Sequence, residues 1–166
     1  QYLGRIALHE TRFRDAITHL ERAAELEPST ADHRMWLGRA YGQLAVRSSF
    51  TKKFGLAKRA RAALERAVQL DPANVDARAS LVQFYLLAPG LVGGSISKAR
   101  AQAAEIAKYS ALRGALARAW IAEDGGSLLL RTAVPGGSAT TRLARAELAR
   151  TLNNDNAGFT SAILTD

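Results

Sequence analysis

Side chains suited to metal or acid–base chemistry are sparse in this chain of 166 residues. Cysteine is absent, which excludes a disulfide framework and a thiolate metal site. His9 and Glu10 begin like the zinc-binding helix motif His-Glu-x-x-His, but residue 13 is phenylalanine. His19 and His33 belong to other segments of the chain. The sequence therefore predicts a protein that is not an enzyme, with no catalytic residue, no metal site and no cofactor.

The sequence Gly-Gly-Ser occurs three times, beginning at Gly93, Gly125 and Gly136. Backbone N–H groups in such a loop could hold a phosphate at the start of a helix. The simpler interpretation is that glycine forms a turn and serine caps the helix that follows. On this interpretation Ser95 and Ser127 lie just before helices.

Positive charge is concentrated in residues 47–66, where Glu65 is the only acid. Phe50 and Phe54 lie among the cations, and a basic segment with aromatic side chains can bind a nucleic-acid backbone or an anionic membrane. We favour a solvated surface instead, formed by an extended loop and the start of a helix, with both phenylalanines packed on the protein. The cations of this basic patch are Arg47, Lys52, Lys53, Lys58, Arg59 and Arg61.

Composition indicates that helices position these residues. Apolar types make up 48% of the chain and charged types 23%, which is typical of a globular protein and excludes a disordered polar tail. Alanine, leucine, arginine and glutamate, all good helix formers, are abundant, and long β-branched runs are missing. The formal net charge of +8 favours acidic partners.

An internal repeat is the main pattern in the sequence. Residues 20–28 read LERAAELEP and residues 64–72 read LERAVQLDP, so six of nine positions are identical at an offset of 44. Alanine and leucine recur in both segments at the spacing of one helix face. Pro28 and Pro72 then predict the ends of the two helices.

A second series of residues precedes these segments. Leu3, Leu37, Leu81 and Leu116 are separated by 34, 44 and 35 residues. Each is followed by Gly, Val or Ala, and four residues later by Ala, Tyr or Trp. This spacing predicts an apolar stripe on a helix, in which a small residue lets a neighbouring helix approach closely. Each repeat is then a helix pair that must stack on its neighbours to bury its apolar face.

These motifs resemble the tetratricopeptide repeat (TPR) family, which has a 34-residue period. The family pattern of Leu-Gly-x-x-Tyr in the first helix matches Leu37, Gly38 and Tyr41. The resemblance implies an all-α fold, a right-handed superhelical stack of antiparallel helix pairs called an α-solenoid. It also implies one domain over 1–166. Its expected units are about 1–30, 31–73, 74–110 and 111–136, followed by a C-terminal helical cap over 139–164.

Two units are longer than the family pattern. Unit two carries about ten extra residues around 43–55, and unit three about five around 86–95. The lengthened unit and the Ala-Pro-Gly-x-x-Gly-Gly sequence resemble a subgroup of bacterial exported TPR proteins, which implies a periplasmic or secreted location, with the cytoplasm as the alternative. In unit four we expect a short second helix over 127–134.

The resemblance also implies a binding groove, because the first helices of TPR units line a concave surface. The positions two residues before and two after the leucine share a helix face, and an acid one turn earlier joins them. Arg5, Arg39 and Arg118 would then form an arginine row suited to carboxylates. The alternative is that they are three ordinary exposed arginines. The expected groove residues are Arg5, Asp32, Met35, Arg39, Asp76, Gln83 and Arg118.

We therefore predict a non-catalytic scaffold that binds a protein segment, preferably an acidic one, in this groove. The lysine, asparagine and arginine clamp with which many TPR proteins hold chaperone tails is not present. Nucleic acid or an anionic membrane bound by the basic patch is the less favoured alternative. An enzyme or an accessory subunit, whose active part lies outside these residues, is a third possibility. The sequence predicts no oligomeric state.

Overall fold

The computed structural model describes residues 2–9 and 11–130, and their regular secondary structure is entirely helical. This confirms the predicted all-α class. The cap predicted over 139–164 and Gly136 lie outside the described residues. The helices are α1 (Tyr2–His9), α2 (Phe13–Leu26), α3 (Ala31–Val46), α4 (Phe50–Leu70), α5 (Val75–Leu87), α6 (Ile96–Tyr109) and α7 (Ala111–Leu130), with a 3₁₀ turn at Gly90–Val92.

Local sequence accounts for four of the helix ends. Helices α2 and α4 end two residues before Pro28 and Pro72, as predicted. Asn74 caps α5, because its side-chain oxygen accepts the N–H of Ala77 at 2.8 Å. Ser95 caps α6 in the same way, which confirms its predicted role.

Consecutive helices pack against each other along the whole described chain. The odd-numbered helices also contact one another, α1 with α3, α3 with α5 and α5 with α7. Within residues 2–9 and 11–130, no helix contacts another that is more than two helices away. The apolar core therefore runs as one continuous layer from α1 to α7.

Glycine lets two of the helix pairs approach closely. A Cβ atom on Gly4 would lie 2.6 Å from Cγ of Leu20, and one on Gly38 would lie 2.6 Å from Cγ of Leu64. Real Cβ atoms do not reach such distances, so a side chain at either position would force the facing leucine or its helix to shift. The small residue of the leucine series has the predicted role here.

The leucines of the series face the core in three of the four units. Leu37, Leu81 and Leu116 are buried. Tyr41 and Tyr85 of the pattern are buried with them, and Trp120 is half-buried. Leu3 differs, with 65% of its area exposed, because no described helix packs on that side of α1. The predicted apolar stripe is thus confirmed from α3 onward.

Two sequence-based expectations about loops are wrong. The extra residues of unit two lengthen α3 and α4, which are joined by residues 47–49 alone, so no extended loop forms. Helix α7 also continues through Gly125 and places Ser127 inside the helix instead of before it. A helix tolerates interior glycine at about 1 kcal/mol each, so the glycine pair does not end α7.

Candidate functional site

Two arginines of the predicted arginine row meet at one tryptophan. Cζ of Arg5 on α1 lies 4.5 Å from the centroid of the Trp36 ring, and Cζ of Arg39 on α3 lies 4.7 Å from it. The guanidinium groups interact with the electron-rich face of the ring. Only 4% of the Trp36 surface is exposed to solvent. The structure therefore brings Arg5 and Arg39 together through a residue that the groove prediction did not include.

Arg39 is also tied to the next odd-numbered helix. Its Nε donates a hydrogen bond to Oγ of Ser80 on α5 at 2.9 Å. Ser80 in turn donates to the backbone oxygen of Asp76 at 2.8 Å. These bonds fix the direction of the Arg39 side chain across the α3–α5 contact.

The two predicted groove acids connect successive units. Asp32 accepts a hydrogen bond from the Asn74 side chain at 3.1 Å, and Asp76 pairs with Arg113 at 2.8 Å. Both acids occupy the first turn of their helices and reach the unit that follows. Their carboxylates therefore connect α3 to the start of α5, and α5 to α7, a role that the sequence did not reveal.

Met35 does not lie on an open groove surface, which corrects its predicted place. Only 4% of its area is exposed, within the apolar core. Gly114 indicates the reason for this burial, because it precedes Leu116 by two residues, as Met35 precedes Leu37. It is buried against α6, with a hypothetical Cβ 2.5 Å from Ala107. The position two before the leucine therefore faces the preceding helix.

The position two residues after the leucine does reach the surface. Arg39 and Gln83 are half-buried, and Arg118 on α7 is exposed. Arg39 and Gln83 both line a cleft of about 240 Å³ between α3, α4 and α5, hereafter the cleft. Arg118 lies on the following odd-numbered helix, outside the lining of the cleft.

Sequence reasoning did not find the apolar part of the cleft. Its lining includes Gly42 and Val46 of α3, Lys53 of α4, and Leu87 at the end of α5. Helices α3 and α4 have 16 and 21 residues against 13 in α5, and the cleft brings residues near the α3–α4 turn together with the end of α5. In the sequence, the one sign of this surface was Gly42, a glycine in the middle of a predicted helix.

The arginines of the basic patch are engaged with the fold. Arg47 stacks on Phe13 at 4.6 Å, and Arg59 lies 5.8 Å from the ring of Tyr41. Arg61 donates to the backbone oxygen of Val92 at 3.2 Å and so holds the loop between α5 and α6. These three arginines therefore help to hold neighbouring parts of the fold together, in addition to carrying positive charge.

The lysines of the basic patch are exposed but do not form one stripe. Successive residues turn by about 100° on a helix, so Lys52, Lys53 and Lys58 point in different directions around α4. Phe50 is 74% exposed and meets Phe54 edge to face, with ring centroids 4.8 Å apart. The expectation that both phenylalanines are packed on the protein is therefore wrong for Phe50.

A tyrosine–glutamate pair occurs twice at the same spacing of twenty residues. Tyr85 on α5 donates to Glu65 on α4 at 3.0 Å, and Tyr41 on α3 donates to Glu21 on α2. Burial, followed by the hydrogen bond to Glu65, raises the pKa of Tyr85 to about 12. Burial and Glu21 raise the pKa of Tyr41 as well. Each pair joins an odd-numbered helix to the helix that precedes it.

Neither metal ligation nor membrane crossing is indicated by the described residues. No cluster of three or more His, Asp or Glu side chains able to hold a metal ion occurs in 2–9 and 11–130. None of the helices over those residues has the length and apolar character needed to cross a membrane. Comparison with protein-family models, curated proteins and solved structures gives no match to this chain.

Proposed function

We propose that this chain is a TPR-like α-solenoid that binds a protein segment along the surface of its odd-numbered helices. The packing of helices only with near neighbours, the close glycine contacts and the repeated tyrosine–glutamate pairs support this architecture. The function depends chiefly on one observation. Arg5 and Arg39 converge on Trp36, and Arg39 also lines the cleft, which places a positive charge next to apolar surface.

An acidic segment is the preferred partner. The chain has a formal net charge of +8, and the surface position of the series carries arginine in three units. Asp32 and Asp76, the acids on the same helices, are already hydrogen-bonded to Asn74 and Arg113. Arginine binds carboxylates with two parallel hydrogen bonds and is frequent at the centres of interfaces. The function is binding, with no chemical step assigned to any side chain.

Charge reversal tests this proposal. Arg39→Glu and Arg118→Glu should each remove partners captured from a native lysate and identified by mass spectrometry. Arg100→Glu on α6 is the matched control, because it changes the net charge equally at an exposed position of an even-numbered helix. Circular dichroism must show intact helices for Arg39→Glu, which also loses its bond to Ser80. Capture profiles that are the same for all three variants and the unaltered chain contradict the proposal.

The exported-subgroup resemblance remains the basis for proposing a periplasmic or secreted location. Fractionation of the native cells, followed by detection of the protein with a specific antibody, tests it. Recovery of the protein only in the cytoplasmic fraction contradicts this location.

Binding to an anionic membrane is a second candidate function, favoured by the exposure of Phe50 beside Lys52 at the end of the α3–α4 hairpin. An apolar side chain flanked by lysines can insert at a lipid surface. Sedimentation of the protein at low salt with liposomes that contain or lack anionic lipid tests this membrane binding. No retention by anionic liposomes excludes this candidate, and a gel shift with DNA would instead favour nucleic acid.

A further inference from the structure

The cleft has exposed apolar surface that carboxylate binding by the arginine row does not need. It encloses about 240 Å³ between α3, α4 and α5. Val46 and Leu87 line it and retain 55% and 48% of their area exposed. Apolar surface left open in a concave site beside a few polar groups is typical of a binding site.

Gly42 is a second observation in favour of a ligand. A side chain at this position would meet no atom within 4 Å, so packing does not demand glycine. Gly38, one turn earlier, is needed for the contact with Leu64. Glycine inside a helix is less favourable than alanine, yet at position 42 it leaves the α3 backbone accessible within the cleft.

The charge around the cleft defines the ligand further. Lys53 lines it and is exposed, and Arg39 contributes a second positive charge. Among the described residues that line the cleft, none is acidic. A group that fits here combines an apolar body with a negative charge beside it.

We propose that the cleft binds an aliphatic or aromatic side chain of a protein segment whose neighbouring residue is Asp or Glu. The apolar side chain lies over Gly42 between Val46 and Leu87, and the carboxylate faces Lys53. This inference rests on the proposed function, because it specifies which acidic segment the groove selects.

Selection from a random-peptide phage library on the immobilised chain provides the probe. We expect the enriched peptides to share an apolar residue next to Asp or Glu. Synthetic copies of these peptides, labelled with fluorescein, then give dissociation constants by anisotropy. Enrichment of peptides without this combination overturns the inference about the cleft, and a selection without any enrichment overturns the proposed function as well.

Filling the cleft is the sharpest variant test. Gly42→Leu should weaken the selected peptides by about tenfold or more, since it occupies the volume of one buried apolar side chain. Gly55→Leu is the matched control, because Gly55 is also helical, has no atom within 4 Å of a hypothetical Cβ, and lies outside the lining. It should leave affinity unchanged. Equal affinities for both variants and the unaltered chain overturn the inference.

Two further measurements separate the cleft from the groove as a whole. Replacing the apolar residue of the peptide by alanine should cost about as much affinity as Gly42→Leu, and the two losses should not add. Lys53→Glu should weaken the peptide, whereas Lys52→Glu, outside the lining, should not. If Arg118→Glu weakens the peptide but Gly42→Leu and Lys53→Glu do not, the groove function stands and the cleft inference fails.

Discussion

The tyrosine–glutamate pairs show how one residue type joins neighbouring units. Tyr41 and Tyr85 occupy the same place in the leucine pattern, and Glu21 and Glu65 the same place in the copied segments. Each hydroxyl donates to a carboxylate on the preceding helix. A hydrogen bond to a charged acceptor stabilises a fold by roughly 1.5–3 kcal/mol when partly shielded from water. The pairs thus contribute stability at every junction where they occur.

Removing one hydroxyl tests this contribution. Tyr85→Phe should lower the free energy of unfolding by roughly 1–2 kcal/mol, because Glu65 loses a donor but can regain water. Urea denaturation followed by circular dichroism measures the change. Tyr109→Phe, at an exposed tyrosine on α6, should have no measurable effect. A loss that is the same for both variants would contradict the role of the pair.

The same pair predicts a loss of stability at alkaline pH. The pKa of Tyr85 is raised from 10.0 to about 12 by the fold, so its contribution is complete below pH 10. As pH rises from 10 towards 12, the unfolded chain loses the tyrosine proton first, and the free energy of unfolding falls. Denaturation midpoints across this range measure the fall. The fall should be smaller in Tyr85→Phe, and an identical pH profile for the variant would refute the assignment.

At the scale of the element, the glycines of α3 have opposite roles one turn apart. Contact with Leu64 leaves no room for a side chain at position 38, whereas a side chain at position 42 would face open space. Sequence alone cannot separate them, because both read as small residues inside one helix. The difference lies in what faces each glycine, because Leu64 of α4 packs against Gly38, whereas the cleft opens at Gly42.

Alanine substitutions should reveal this difference in stability. Gly38→Ala should destabilise the chain by roughly 1–3 kcal/mol, since the new Cβ overlaps Leu64. Gly42→Ala should stabilise it by about 1 kcal/mol through helix propensity. Thermal unfolding monitored by circular dichroism compares the two. Destabilisation by Gly42→Ala would show that position 42 is packed.

For the molecule as a whole, contacts are confined to nearby helices, so stability should be local. Leu20→Ala opens a cavity in the α1–α3 region at a cost of about 2–5 kcal/mol. Amide hydrogen exchange should then accelerate in α1, α2 and α3 and change little in α6. A uniform acceleration over all described helices would show that the chain unfolds as a single unit.

The sequence predicted the elements better than the surface that they form. Apolar periodicity and Pro28 and Pro72 identified the helices, and the leucine pattern placed Arg5 and Arg39 on related faces. The cleft was not predicted, because it depends on how the extra residues divide between the ends of two helices. Met35 was misplaced for a similar reason, since its burial depends on which face the preceding helix covers.

The intrinsic fluorescence of Trp36 can report binding at the site. The chain has two tryptophans, and the indole ring of Trp36 lies against two guanidinium groups. Indole emission shifts in wavelength and intensity when nearby charges move. A segment that draws either arginine away would therefore change the intrinsic fluorescence of the unlabelled chain, and a Trp120→Phe background would assign that signal to Trp36.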